Sequence, residues 1–187
     1  MTAGSNLTSH FLIAMPGLKD SNFFHTVTYI CEHNDDGAMG IVLNRPTDLH
    51  LNDIVQQLDI PPGEGAAGEQ VIFMGGPVQT DRGFVLHTPG DGWDATMEIT
   101  PEISITTSRD ILRAIAEGDG PEKSLIALGY AGWGPGQLEQ ELSANAWLSG
   151  PADAGIIFDL APEQRWEAAA RLLGVDLNLL SGETGHA

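Results

Sequence analysis

The chain has 187 residues, 42% of them hydrophobic, which is enough to build one compact core without disulfide or metal staples. Its 26 acidic residues face only 8 basic ones, for a formal net charge of -18. Because nucleic-acid affinity rests on Lys and Arg neutralising phosphates, this balance argues against direct DNA or RNA binding and against an anionic membrane surface, and suits simple solubility.

In chain order, His10 to Pro16 reads as a short buried strand closed by Pro16-Gly17. Thr26 to His33 reads as a second, with Val27, Tyr29 and Cys31 on one face and Thr28, Ile30 and Glu32 on the other. Asn34-Asp35-Asp36-Gly37 supplies a hairpin turn, and Ala38 to Asn44 a third strand stopped before Pro46. Leu51 to Leu58 is a helix with an apolar stripe of Leu51, Ile54, Val55 and Leu58. After a loop from Pro61 to Gln70, strands are expected at Val71 to Met74, Arg82 to His87 and Met97 to Thr106.

Ser108 then caps a helix from Arg109 to Glu117 that stops at Gly118. Ser124 to Tyr130 is a buried strand, and Pro135 suits the first turn of a helix running through Ala144. A last helix, Pro162 to Leu173, repeats Trp166, Ala169, Ala170 and Leu173 at i, i+3, i+4 and i+7. Strands and hairpins first and helices later predict an α+β fold: one domain over 1–187, a mainly antiparallel sheet flanked by helices, and a frayed tail over 181–187.

Motif by motif, little chemistry emerges. Gly63-Glu64-Gly65-Ala66-Ala67-Gly68 has the spacing of a dinucleotide loop, but it follows Pro61-Pro62 rather than a strand and precedes a strand rather than a helix. Gly118 to Ser124 lacks the glycine before lysine that a phosphate loop needs. His33, Asp35 and Asp36 lie in a turn that fixes no ligand geometry, so no metal and no cofactor are expected. Cys31, the lone cysteine, reads as a buried inert thiol and suits a reducing, cytoplasmic compartment. Neither a signal peptide nor a membrane-length apolar run is evident.

Several segments, taken together and in order, resemble the YqgE/AlgH family. They are Phe11-Leu12-Ile13-Ala14-Met15-Pro16, Glu32-His33-Asn34 with Gly37-Ala38-Met39-Gly40, Asn44-Arg45-Pro46, Gly75-Gly76-Pro77-Val78, Gly83-Phe84-Val85-Leu86-His87, Gly129-Tyr130-Ala131-Gly132-Trp133, Gln137-Leu138-Glu139 and Asn145-Ala146-Trp147-Leu148. The resemblance implies an α+β fold with a curled, bifurcated, pseudo-barrel sheet. It brings no established reaction, cofactor or catalytic residue. Some members carry the label of transcriptional regulator, from an association with control of exopolysaccharide production.

The residues themselves suggest one ligand-binding arrangement. Asn44-Arg45-Pro46, Gly75-Gly76 and Gly132-Trp133 follow strands, and strand ends commonly present binding loops. With His87, and with Gln137 and Glu141 one turn apart on a helix, they would give a pocket with a guanidinium, backbone donors and an aromatic wall. The other reading assigns the glycines to turns, the tryptophans to packing and Arg45 to an internal carboxylate. Catalytic residues are unassigned. The expectation is a non-enzymatic regulatory or interaction protein that works through a partner protein or a small anionic ligand. The alternatives are an enzyme using Arg45, His87 and Glu141 or Glu139, and a DNA-binding regulator, which the charge disfavours.

Overall fold

The computed structural model describes residues 6–18, 20, 23–63, 65–90 and 92–177; the expected tail at 181–187 lies outside them. Along the chain run β1 (His10–Ala14), β2 (Val27–Asn34), β3 (Gly37–Val42), β4 (Pro46–His50), α1 (Leu51–Gln57), β5 (Val71–Met74), β6 (Val78–His87), β7 (Thr96–Thr100), β8 (Ile103–Thr106), α2 (Arg109–Glu117), β9 (Ser124–Trp133), α3 (Gln137–Ser143), β10 (Trp147–Pro151), α4 (Ala154–Phe158) and α5 (Pro162–Leu172). The fold is α+β, with a curled sheet in the order β10-β1-β2-β3-β9-β6-β8-β7 and β4 and β5 branching from β9. Every pairing is antiparallel except β5 with β9.

Strand alternation distributes the core over both faces. On β1, Phe11 and Ile13 pack with Tyr29, Ile41, Ile157 and Ala169, beneath α4 and α5. Leu12 and Ala14 point the other way, toward Ile30, Trp133, Leu138 and Trp147 beneath α3. A third cluster seats α1 and α2 on β5, β6 and β9 through Leu51, Val55, Ile72, Val85, Ile111 and Ile126. With apolar neighbours on both sides, β1 reads as one continuous hydrophobic run. Cys31 is buried, and burial pushes its thiol up, away from the reactive thiolate. Burial likewise pushes the Tyr29 phenol up to about 12, the Ser9 hydroxyl that it bonds opposing this.

The sheet divides at β9. Leu128 pairs with Met74 of β5 on one edge and with Gly83 of β6 on the other. The chain from Met74 to Val78 must therefore cross the face of β9, and it does so over Gly129 and Tyr130. Gly75 is tied into the crossing: its N–H donates to the Leu128 carbonyl at 2.8 Å, and its carbonyl accepts from Val42 N–H at 2.8 Å. A Cβ on Gly76 would overlap the Tyr130 carbonyl group, and one on Gly129 would overlap the Gly76 carbonyl oxygen. Gly129 also has φ +78, a conformation costly for any side chain. Beyond the crossing, β6 bulges. Val78 pairs with Tyr130 and Gly83 with Leu128, so Gln79 to Arg82 stand opposite Gly129 alone, with Gln79 at φ 50.

Some boundaries differ from the sequence reading. Met97 to Thr106 is a hairpin, β7 and β8, turned at Pro101-Glu102 rather than one strand. α3 starts at Gln137, two residues beyond Pro135, because Gly136 is left-handed at its N-cap. β4, β10 and α4 were not anticipated; β4 opens on Pro46, which a strand tolerates at its first residue. The Ser108 hydroxyl donates to Asp110 Oδ1 at 2.5 Å and makes no bond to the α2 backbone. Gly63, in the loop with dinucleotide-like spacing, donates its N–H to Asn52 Oδ1 at 2.7 Å.

α5 carries one unexpected buried charge. Arg165 donates through Nη1 to the Leu43 carbonyl at 2.5 Å and lays its guanidinium over the Phe73 ring at 5.1 Å. Among the described residues no carboxylate lies within 4.0 Å of it. Burial, partly offset by Glu163, lowers its pKa to about 10, which leaves it charged near neutrality.

Candidate functional site

The eight residues singled out from the sequence fall into separate places. Asn44 and Arg45 clamp the 23–25 loop. Asn44 Oδ1 accepts from Val27 N–H at 3.0 Å, its Nδ2 donates to the His25 carbonyl at 2.9 Å, and Arg45 Nη2 donates to the Phe24 carbonyl at 2.8 Å. In the same place Phe24, His25 and Trp166 stack face to face, with centroids 3.8 and 4.0 Å apart. Burial and the nearby Arg45 charge lower the His25 pKa. Gly75 and Gly76 are buried in the crossing over β9, where the Gly75 N–H is already engaged.

Trp133, Gln137 and Glu141 do come together, and they bond to one another. Glu141 Oε1 accepts from both indoles, Trp133 Nε1 and Trp147 Nε1, at 2.9 Å each. Its Oε2 accepts from Gln137 Nε2 at 3.0 Å, and Gln137 Oε1 accepts from Gly134 N–H at 2.9 Å. Phe23 lies against both indole rings, with centroids at 6.1 and 5.4 Å. Two residues from both Gln137 and Glu141, and so on another face of α3, Glu139 accepts from His33 Nε2 at 2.9 Å. The other His33 nitrogen, Nδ1, accepts from Leu7 N–H, so the ring carries its proton on Nε2. Phe23 and Phe24 thus link the Trp133 group to the Arg45 group through one loop.

His87 is at the far end of the sheet. It pairs with Ser124, and at roughly 3.3 Å per residue the strand from Ser124 to Trp133 spans up to about 30 Å. The ring is buried against Trp93. Its Nδ1 lies 2.8 Å from the Thr88 carbonyl, which can only accept, so Nδ1 holds the proton and Nε2 accepts the Thr106 hydroxyl at 2.7 Å. Thr106 in turn accepts from Thr96 at 2.7 Å. Burial lowers the His87 pKa, against a smaller raising effect of the Thr88 carbonyl, which keeps the imidazole uncharged near neutrality.

A concavity lies where the crossing and the bulge open the sheet. This fork cleft, of about 660 Å³, is lined by the ends of β2 and β3, by Val78, Gln79, Arg82 and Phe84 of β6 and by Tyr130, Gly132 and Trp133 of β9. Met39, Phe84, Tyr130 and the edge of Trp133 form its apolar surface; Phe84 and Tyr130 meet edge to face with centroids 5.6 Å apart. Arg82 caps the Phe84 ring at 5.5 Å and reaches Gln79 Oε1 at 3.4 Å. Glu32, Asn34 and Asp36 supply a polar, acidic rim. Of the eight predicted residues only Trp133 is among its walls. Arg82 and Phe84, two apart on one strand and so on one face, carried the signal that could have pointed here.

The family model described as AlgH-like matches residues 11–178. A UPF0301 protein of Thioalkalivibrio sulfidiphilus is 61% identical over 187 residues, covering 100% of both chains. A UPF0301 protein of Nitrosococcus oceani is 59% identical over 179 residues, 96% of each chain. The solution structure of the AlgH protein from Pseudomonas aeruginosa is 55% identical, with a TM-score of 0.80 over 97% of this chain and 96% of that one. A crystal structure of a Corynebacterium diphtheriae protein, 20% identical, shares the fold with a TM-score of 0.75 over 94% of this chain and 91% of that one.

Proposed function

This chain belongs to the AlgH-like family, and on that premise we propose that it is a non-enzymatic, cytoplasmic interaction protein whose fork cleft takes an extended basic segment of a partner protein. The observation that carries this reading is the cleft itself: aromatic and thioether groups on its walls, carboxylates on its rim. Arg or Lys side chains can lie over aromatic faces such as Tyr130 while bonding to Glu32 or Asp36. The net charge of -18 steers basic partners toward the surface and repels nucleic acid. The groups that acid–base chemistry would draw on are engaged elsewhere: Glu141 by two indoles, Glu139 by His33, and His87 at both ring nitrogens.

A blocking variant tests the reading. Gly132 is exposed in the cleft, and a Cβ there meets only the Tyr130 ring edge at 3.3 Å and Val78 Cγ2 at 4.0 Å. Gly132→Leu therefore fills the cleft without disturbing the crossing. In fluorescence polarisation with labelled Arg- and aromatic-containing peptides, the wild-type chain should bind, and Gly132→Leu should weaken binding at least about tenfold, or ~1.4 kcal/mol, at an unchanged melting temperature. Equal binding by both chains would remove the cleft from consideration.

A further inference from the structure

A second concavity, of about 530 Å³, lies between α1, α2 and the β6 bulge. Its walls include Ile54 of α1, Leu58 at the end of that helix, Leu112 of α2 and Leu128 of β9, so part of its lining is aliphatic. Two exposed arginines, Arg82 and Arg109, also line it, against a single acidic residue, Asp81; the Arg82 guanidinium rests over the Phe84 ring of the first cleft. That is two of the 8 basic residues in a chain with 26 acidic ones. Among the described residues neither arginine has a carboxylate within 4.0 Å. Arg82 sits on the bulge, three residues beyond Gln79 with its φ of 50.

We propose that this pocket binds a small amphiphilic anion, a free carboxylate with an aliphatic or aryl body. The body lies on Ile54, Leu58, Leu112 and Leu128, and the head group accepts hydrogen bonds from Arg109 and Arg82. Aliphatic walls supply affinity without direction, and guanidiniums supply orientation and selection for a planar anionic head. This inference stands apart from the reading of the fork cleft, with one physical link: Arg82 and Gln79 belong to both walls. An anion that draws Arg82 into the second pocket also moves it relative to Phe84, and so reshapes the first.

The test uses the full chain and octanoate, with 8-anilinonaphthalene-1-sulfonate as the reporter. The dye should bind saturably to the folded protein and be displaced by octanoate, while octanol, which lacks the charge, should compete less well. Arg109→Gln lies outside the fork cleft and should weaken octanoate binding about fivefold with no change in melting temperature. Arg82→Gln should do the same and also alter peptide binding at the fork cleft. Dye binding that octanoate cannot displace, octanol competing as well as octanoate, or octanoate affinity unchanged in Arg109→Gln would each overturn the proposal. None of those outcomes touches the peptide measurement on Gly132→Leu, so the two proposals fail separately.

Discussion

Gly76→Ala should abolish the native fold or lower its melting temperature by 10 °C or more, a loss above about 4 kcal/mol. The reason is geometric. At Gly76 the chain lies backbone on backbone across β9, and an added methyl would overlap the carbonyl group of Tyr130 and the following Ala131 nitrogen. Neither atom belongs to a flexible side chain that could swing away. Relief would require lifting the connection off β9. That would break the Gly75 bonds to Leu128 and Val42 and the registers of β5 and β6 on opposite edges of the same strand. Gly132→Ala, three residues beyond Gly129 and open to the cleft, is the control and should be nearly neutral. Thermal unfolding of the two variants side by side checks the claim; a Gly76→Ala chain as stable as the control would mean that the crossing is loosely packed.

Glu141→Leu should cost about 3 kcal/mol, because it strands two buried indole N–H groups together with the Gln137 amide. The indoles belong to Trp133 and Trp147, both nearly inaccessible, and a single carboxylate oxygen serves both. Glu141 itself is only half-buried, so water can reach part of the site, which limits the loss. Glu141→Gln should cost only about 1 kcal/mol: an amide oxygen can still accept from both indoles, while its NH₂ faces the Gln137 NH₂ and loses that bond. Urea unfolding of the two variants gives the comparison. Equal losses would show that size rather than hydrogen bonding matters, and no loss in either would show that the indoles find other acceptors. Because Trp133 also borders the fork cleft, the leucine variant should disturb peptide binding as well, whereas Gly132→Leu should leave stability alone.

Much of the architecture was legible because it rests on local rules. Alternating faces located β2, short apolar runs located β1, β3 and β5, and Asn34 to Gly37 gave the hairpin its turn. The i, i+3, i+4 stripe found α5 almost to the residue. What sequence could not supply is which strands share an edge. β10 is a short run that becomes a strand only because β1, more than a hundred residues earlier, pairs with it from His10 to Ala14. Pro101 inside an apparent strand was a turn signal, and it divides β7 from β8.

The candidate site was legible in pieces. Trp133, Gln137 and Glu141 were grouped from sequence, and they do meet, bonded to one another. Gly75 and Gly76 read as a turn with backbone donors; they pack against β9, where the Gly75 N–H already has its acceptor. His87 and Trp133 read as members of one pocket, but the length of β9 keeps them apart. Tyr130 and Phe84 read as strand residues, and their meeting at one cleft depends on a bulge that no local pattern predicts.

The most direct measurement of the central claim is a ¹H–¹⁵N titration of the full chain with a short peptide alternating Arg and aromatic residues. The fork-cleft reading predicts saturable shifts at Met39, Tyr130, Gly132 and the Trp133 indole N–H, with smaller shifts at Gln79 and Arg82 on the bulge. Shifts gathered instead at His25, Arg45 and Trp166, or no saturable shifts at the cleft residues, would contradict it.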